Sequence, residues 1–114
     1  MGRKGAKLGE GATAACRQFE SQVASIGNVT SRKMFGGFGV FHEGKMFALV
    51  TSEGRLYMKG TAANQKQFDD AGSDRYGRMP YWSVPERISA DHRSLLRWAR
   101  GSISAAHQSD RQQR

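Results

Sequence analysis

The chain has 114 residues and a mass of 12.6 kDa, the size of one domain, and it carries a net charge of +8 with an isoelectric point near 10.3. A domain of this length removes somewhat over ~60% of its unfolded surface from water, so a single core is expected. Apolar runs such as Met46 to Val50 fall far short of the ~20 residues that a membrane-spanning helix requires, and the basic start MGRKGAKLGEG lacks the roughly 7–15-residue apolar stretch of a secretory signal.

Cys16 is the single cysteine, so no intrachain disulfide forms and a reducing compartment, the cytoplasm, is expected. The positive charge attracts polyanions through long-range, salt-sensitive forces. Residues 1–11 and 107–114 together hold three of the eight net charges, leaving +5 on the remainder. At this point two readings stand side by side: a nucleic-acid contact, or a merely soluble basic surface.

In chain order, residues 1–11 are rich in Gly and Lys, and the stretch HQSDRQQR from His107 is polar throughout. Neither buries enough apolar area to offset its ordering entropy, so both are expected to be disordered tails around a folded domain at residues 12–106. From Thr13, read as an N-cap, Ala15, Cys16, Phe19, Val23 and Ile26 recur at three- and four-residue steps and share one helical face. Gly27 and Asn28 stop that helix. Cys16 sits on the apolar face and reads as a small core side chain.

Four extended segments follow, Val29–Phe35, Phe38–His42, Lys45–Ser52 and Arg55–Lys59. Between them, Glu43-Gly44 and Glu53-Gly54 each precede a basic residue ten positions apart, the spacing of a meander with tight glycine turns. Thr61 is placed to cap a helix over Ala62–Ala71 that Gly72 ends, with Phe68 as its one large apolar residue and hence weak docking. Residues 73–87 hold both prolines, Pro80 and Pro85, around an extended Tyr81–Val84 that suits an edge strand. A last helix runs from about Asp91 to Ala106, with Leu95, Leu96, Ala99, Ile103 and Ala106 on one face and Arg93, Arg97 and Arg100 opposite. The order of elements predicts an α+β fold of two layers, an antiparallel meander flanked by N-terminal and C-terminal helices.

Gly39 to Met46 imitates a phosphate loop, but Met46 has no hydroxyl for magnesium and Lys45 opens a strand where that motif needs a helix. Gly37-Phe38-Gly39 begins a dinucleotide fingerprint that His42 breaks; these glycines read as backbone devices, a bend, a bulge or a close approach. His42, His92 and His107 are assigned to three different elements with no Cys or paired carboxylate at ligand spacing, so no metal site is read. Asp69 and Asp70, adjacent on a helix, point about 100° apart and are solvated surface. No catalytic residue, cofactor or small-molecule substrate follows from the sequence.

Two constellations remain as contact surfaces. The i, i+4, i+7 spacing of Arg93, Arg97 and Arg100 presents three guanidinium groups to phosphates, or is an ordinary charged face. Arg75, Tyr76, Arg78, Tyr81 and Trp82, with Arg87 beyond, mix cations with rings that hold single-stranded bases by stacking, or pack into the sheet.

The stretch from Val29 through Arg32, Lys33, Met34, Phe35, Gly36, Gly37 and Gly39 to Phe41 resembles the N-terminal domain of TfoX/Sxy proteins. The likeness continues through Lys45–Val50, Arg55–Lys59, Met79-Pro80-Tyr81, Val84-Pro85-Glu86 and Leu96-Arg97-Trp98-Ala99-Arg100, covering nearly all of residues 15–106. It implies an antiparallel sheet flanked by helices, and a regulator of competence genes acting alongside the catabolite activator protein. Met34, Phe35, Gly36, Gly37 and Gly39 form that family's signature, which supplies a structural motif and no active site. Longer members carry a second, C-terminal domain, where this chain is expected to stand alone with a short polar tail. The expected function is thus non-catalytic: a transcription or competence regulator contacting a protein partner, DNA or both, with Arg32 and Lys33 among its candidate contacts. The alternative is a protein-interaction or homo-oligomerisation module with no nucleic-acid role, with a homodimer as its simplest form.

Overall fold

The computed structural model describes residues 10–34 and 36–112. Helix α1 spans Glu10–Gln22 and is followed by a 3-10 turn at Ala24–Ile26. Five strands then form one antiparallel sheet in sequence order, β1 (Val29–Met34), β2 (Gly37–His42), β3 (Lys45–Val50), β4 (Leu56–Lys59) and β5 (Tyr81–Ser83). Helix α2 (Gln65–Ala71) lies between β4 and β5, and α3 (Glu86–Ser89) and α4 (His92–Gln112) follow. The expected α+β meander with flanking helices is the fold observed.

The turn chemistry sets the register. Glu43 and Gly44 take φ of 51° and 84° and close a two-residue hairpin whose first pair is His42 opposite Lys45. Positive φ at both positions matches the right-handed twist of the flanking strands. The second Glu-Gly, expected to make an equally tight turn, sits in a wider loop in which Thr51 N donates to Arg55 O and Gly54 N to Thr51 O. A bulge at Val40/Phe41 re-aims the strand.

The sheet buries both faces, unequally. On one face Val40, Phe47, Ala48, Val50 and Met58 meet Cys16, Phe19 and Val23 of α1, Phe68 of α2, and Leu95, Trp98, Ala99 and Ile103 of α4. On the other, Leu49, Tyr57 and Tyr81 form a smaller cluster roofed by Tyr76, Met79 and Met46. Buried Ser102 donates to Lys59 O at 2.8 Å and ties α4 to β4. Gln22 Nε2 donates to Ser89 O and ties α1 to the short α3.

Several boundaries differ from the sequence reading: α1 ends at Gln22, before the 3-10 turn that Gly27 closes, β3 stops at Val50 short of Ser52, and the helices differ further. Helix α1 already includes Glu10 because Ala12, fully buried, extends the apolar face one turn before Cys16, and Thr13 lies inside the helix and does not cap it. Helix α2 begins at Gln65 and not Ala62: Thr61 N donates to Asn64 Oδ1, Ala63 N to Thr61 Oγ1, Asn64 N to Thr61 O and Asn64 Nδ2 to Lys59 O, so the chain closes a side-chain-braced turn over residues 61–64 before the helix starts. Gly72 ends α2 as expected, at φ 72°, with Ser73 N donating to Phe68 O. After the extended Tyr81–Val84, where no helix was read before Asp91, the chain forms the short α3, whose first carbonyl, that of Pro85, accepts from Ile88 N and Ser89 N. Helix α4, capped by Asp91 Oδ2 on Ser94 N, carries on past Ala106 to Gln112, so the stretch expected as a polar tail from His107 is helical that far. Residues 1–9 of the expected N-terminal tail, Phe35 and residues 113–114 lie outside the described residues.

Tyr81 gives the fold a pH dependence. Its ring is buried, its hydroxyl donates to Met46 O at 3.2 Å, and burial pushes its ionisation up to about 12. An unfolded tyrosine ionises near ~10, so between these values the unfolded chain has lost a proton that the folded chain keeps. The contribution is fully present below about pH 10 and lost as pH rises toward 12, a loss of roughly 2–3 kcal/mol at ~1.4 kcal/mol per unit. Urea titrations at successive pH values are expected to show this alkaline decline in the native chain and a flatter profile in Tyr81→Phe.

Candidate functional site

Arg93, Arg97 and Arg100 project from α4 on the side away from Leu95, Trp98 and Ala99, and all three are exposed. Among the described residues no hydrogen bond or ion pair holds their guanidinium groups. Asp91, exposed at the helix start, is their nearby acidic group; its hydrogen bonds from Ser94 hold its carboxyl below the ordinary carboxylate value, with Arg93 and Arg97 adding a smaller effect. The ion pair seen elsewhere, Lys66 to Asp70 at 3.0 Å on α2, illustrates what the α4 arginines lack.

The other candidate cations are differently employed. Arg75 donates from Nε to Met79 O at 3.0 Å and from Nη2 to Arg78 O at 3.1 Å, and its guanidinium lies 5.1 Å from the centre of the Trp82 ring. It therefore closes the loop before β5. Phe68 stacks on the same Trp82 at 5.7 Å, Tyr76 packs against Tyr57 at 5.0 Å, and Tyr81 is buried. The rings that the sequence offered as a base-stacking platform are thus packed into the sheet and its roof. Arg78 and Arg87 are exposed, the latter in α3.

Arg32 and Lys33 are exposed on β1, the opposite edge of the sheet from Arg75 and β5. The Arg32 guanidinium lies 4.7 Å over the Phe41 ring. Similar pairs, Arg55 on Tyr57 at 5.4 Å and Lys59 on Tyr81 at 5.7 Å, line the sheet face away from the helices. The seven candidate contacts therefore fall on three separate surfaces, and α4 alone gathers several cations that the fold leaves unengaged.

Cys16 is buried in the core, and burial, more than its hydrogen bond with Ser31, sets its thiol above the ordinary value, as suits a packing residue. The signature glycines have steric roles. Gly36 takes φ 77°, Gly37 abuts the Val50 carbonyl so closely that no Cβ fits, and Gly39 lies beneath the Met34 and Met46 sulfurs. Phe35, the fifth signature residue, is outside the described residues.

The histidines correct the sequence reading. His92 and His107 share α4, and His107 reaches across the sheet end to His42, Nε2 to Nδ1 at 3.0 Å, with Glu43 beside them. Sequence reasoning missed this constellation because it assigned His107 to a tail. A separate open depression of about 340 Å³ is lined by Lys45, Lys59 and Tyr81 from the sheet and Ala106 and Ser109 from α4.

Among the described residues, no helix is long and apolar enough to cross a membrane. Residues 21–106 match the TfoX N-terminal domain. Over 87 residues the chain is 41% identical to the DNA transformation protein TfoX1 of Aliivibrio fischeri (strain ATCC 700601 / ES114), covering 69% of this chain and 41% of that protein. The chain thus spans about two fifths of that relative's length.

Proposed function

Because the chain belongs to the TfoX N-terminal domain family, we propose that it is a non-catalytic regulatory domain of the cytoplasm, acting on transcription or competence through contact with DNA, a transcription protein or both. The observation that carries this reading is the exposed, internally unengaged row of Arg93, Arg97 and Arg100 on α4. Guanidinium groups recognise phosphate oxygens bidentately, and a helix face that spends three of them on solvent alone has them available for a polyanion or an acidic protein surface. The net charge of +8 and the name of the relative, a DNA transformation protein, point the same way.

Fluorescence anisotropy on labelled duplex DNA, at low and near-physiological salt, tests it. Binding is expected to survive physiological salt in the native chain and to weaken strongly when Arg93, Arg97 and Arg100 are all alanine. Each phosphate contact contributes about 0.9 to the slope of log affinity against log salt, so the slope should shrink by about 2.7. Binding that salt abolishes outright, unchanged by the triple substitution, would make the charge a solubility feature and transfer the function to a protein partner.

The alternative reading, a homodimerisation module, has its own observation. Strand β1 is a six-residue sheet edge, and unpaired edges template pairing with another chain. A concentration-independent monomer in light scattering would dispose of it.

A further inference from the structure

We propose that His42 Nδ1, His107 Nε2 and the Glu43 carboxylate form a binding site for one divalent transition-metal ion of the zinc class. The three donor atoms lie within 4.8 Å of one another, and the two ring nitrogens are 3.0 Å apart. Two nitrogens bound to a tetrahedral zinc at ~2.0–2.1 Å stand about 3.3 Å from each other, so the pair opens by only a few tenths of an ångström to admit the ion. The rings meet nearly edge-on, at 80°, and both histidines are half-buried while Glu43 is exposed. Glu43 therefore closes the donor set from the solvent side, next to the two imidazoles.

The backbone favours the same reading. Glu43 occupies a turn position with φ 51°, where Gly or Asn would be less strained, and its carboxylate accepts from Asn28 Nδ2 at 3.0 Å. One carboxylate oxygen is thereby oriented by a neighbouring amide, the kind of outer contact that metal-ligating carboxylates use. Two imidazoles select against calcium and magnesium, which take oxygen ligands, and favour zinc, cobalt, nickel or copper. Three protein ligands leave a fourth position for water. An ion here clasps the far part of α4 to the β2–β3 turn, joining a helix segment beyond the family-matched residues 21–106 to a strand within them. This site is independent of the α4 arginine face.

The experiment is calorimetric titration of zinc chloride into the full, untagged, chelator-stripped chain, with thermal unfolding followed with and without the metal. One ion per chain is expected, together with a rise in unfolding temperature. His42→Ala and His107→Gln should each lower the affinity at least tenfold and remove the thermal shift, whereas His92→Ala, exposed at the start of α4, should change neither. Circular dichroism establishes that each variant is folded before titration. Four-coordinate absorption on adding cobalt(II), lost in His107→Gln, is the independent spectroscopic signature. Absence of saturable binding, or binding that persists in both the His42 and His107 variants, overturns the proposal and leaves the contact an imidazole–imidazole hydrogen bond.

Discussion

Replacing Phe68 by alanine is expected to cost about 3–5 kcal/mol, a large share of the roughly 5–15 kcal/mol that holds a domain of this size folded. Phe68 is fully buried and is the only buried residue of α2. Its ring stands edge-on to Trp98 at 5.1 Å and stacks on Trp82 at 5.7 Å, so it joins α2, α4 and β5 at one point. Truncation leaves a cavity bounded by two indoles that other elements hold in place, and such a site collapses poorly. The two aromatic contacts add about 0.5–1.5 kcal/mol each beyond area burial. Since Trp82 and Trp98 are the chain's two tryptophans, indole fluorescence during urea unfolding reads this cluster directly. A shift in midpoint worth less than about 1 kcal/mol would show that α2 is a loosely laid cover whose removal the core tolerates.

That expectation also shows where the sequence was informative and where it was not. Strands β2, β3 and β4 were legible because each is a short, mostly apolar run followed by a turn or loop that contains Gly, a residue that marks backbone conformations that others adopt reluctantly. The long helix was legible from Leu95, Ala99, Ile103 and Ala106 at a 3.6-residue period. Phe68, by contrast, reads as weak docking when counted as one apolar residue among polar ones. Its importance comes from Trp82 and Trp98, which are 14 and 30 positions away and meet it only in three dimensions. The start of α2 was hidden for a related reason, since Thr61 and Asn64 form a hydrogen-bonded turn that no periodicity reports. Polarity alone misjudged the stretch from His107, because a helix already begun adds residues cheaply and His107 has a partner 65 positions back. The arginine face of α4 was fully visible in the sequence; that Arg75 spends its donors on loop carbonyls was not.

The glycines of the signature separate by what surrounds them, and their substitutions are expected to separate in the same way. A Cβ on Gly37 would overlap the Val50 carbonyl oxygen and stand 2.9 Å from the Thr51 carbonyl carbon, both of them backbone atoms of the neighbouring strand and its loop. Relief requires β2 and β3 to part where Phe38 pairs with Val50, beside a fully enclosed stretch of core. Gly37→Ala is therefore expected to cost about 3 kcal/mol or more, at or beyond the upper end of what overpacking usually costs. At Gly39 the first atom met is the Met34 sulfur, with the Met46 sulfur and a Phe41 ring carbon each at 3.2 Å. Methionine side chains have three rotatable bonds and yield, so Gly39→Ala should cost only about 1 kcal/mol. Combining Gly39→Ala with Met34→Ala should recover part of that loss, a non-additivity that urea denaturation of the two single variants and the double variant resolves. No such partner exists for Gly37, because what it faces is backbone. Equal losses at the two positions would mean that the signature is held for something other than the close approach of β2 to β3. A large loss at Gly37 alone would make that glycine the packing device that fixes the register of β2 against β3.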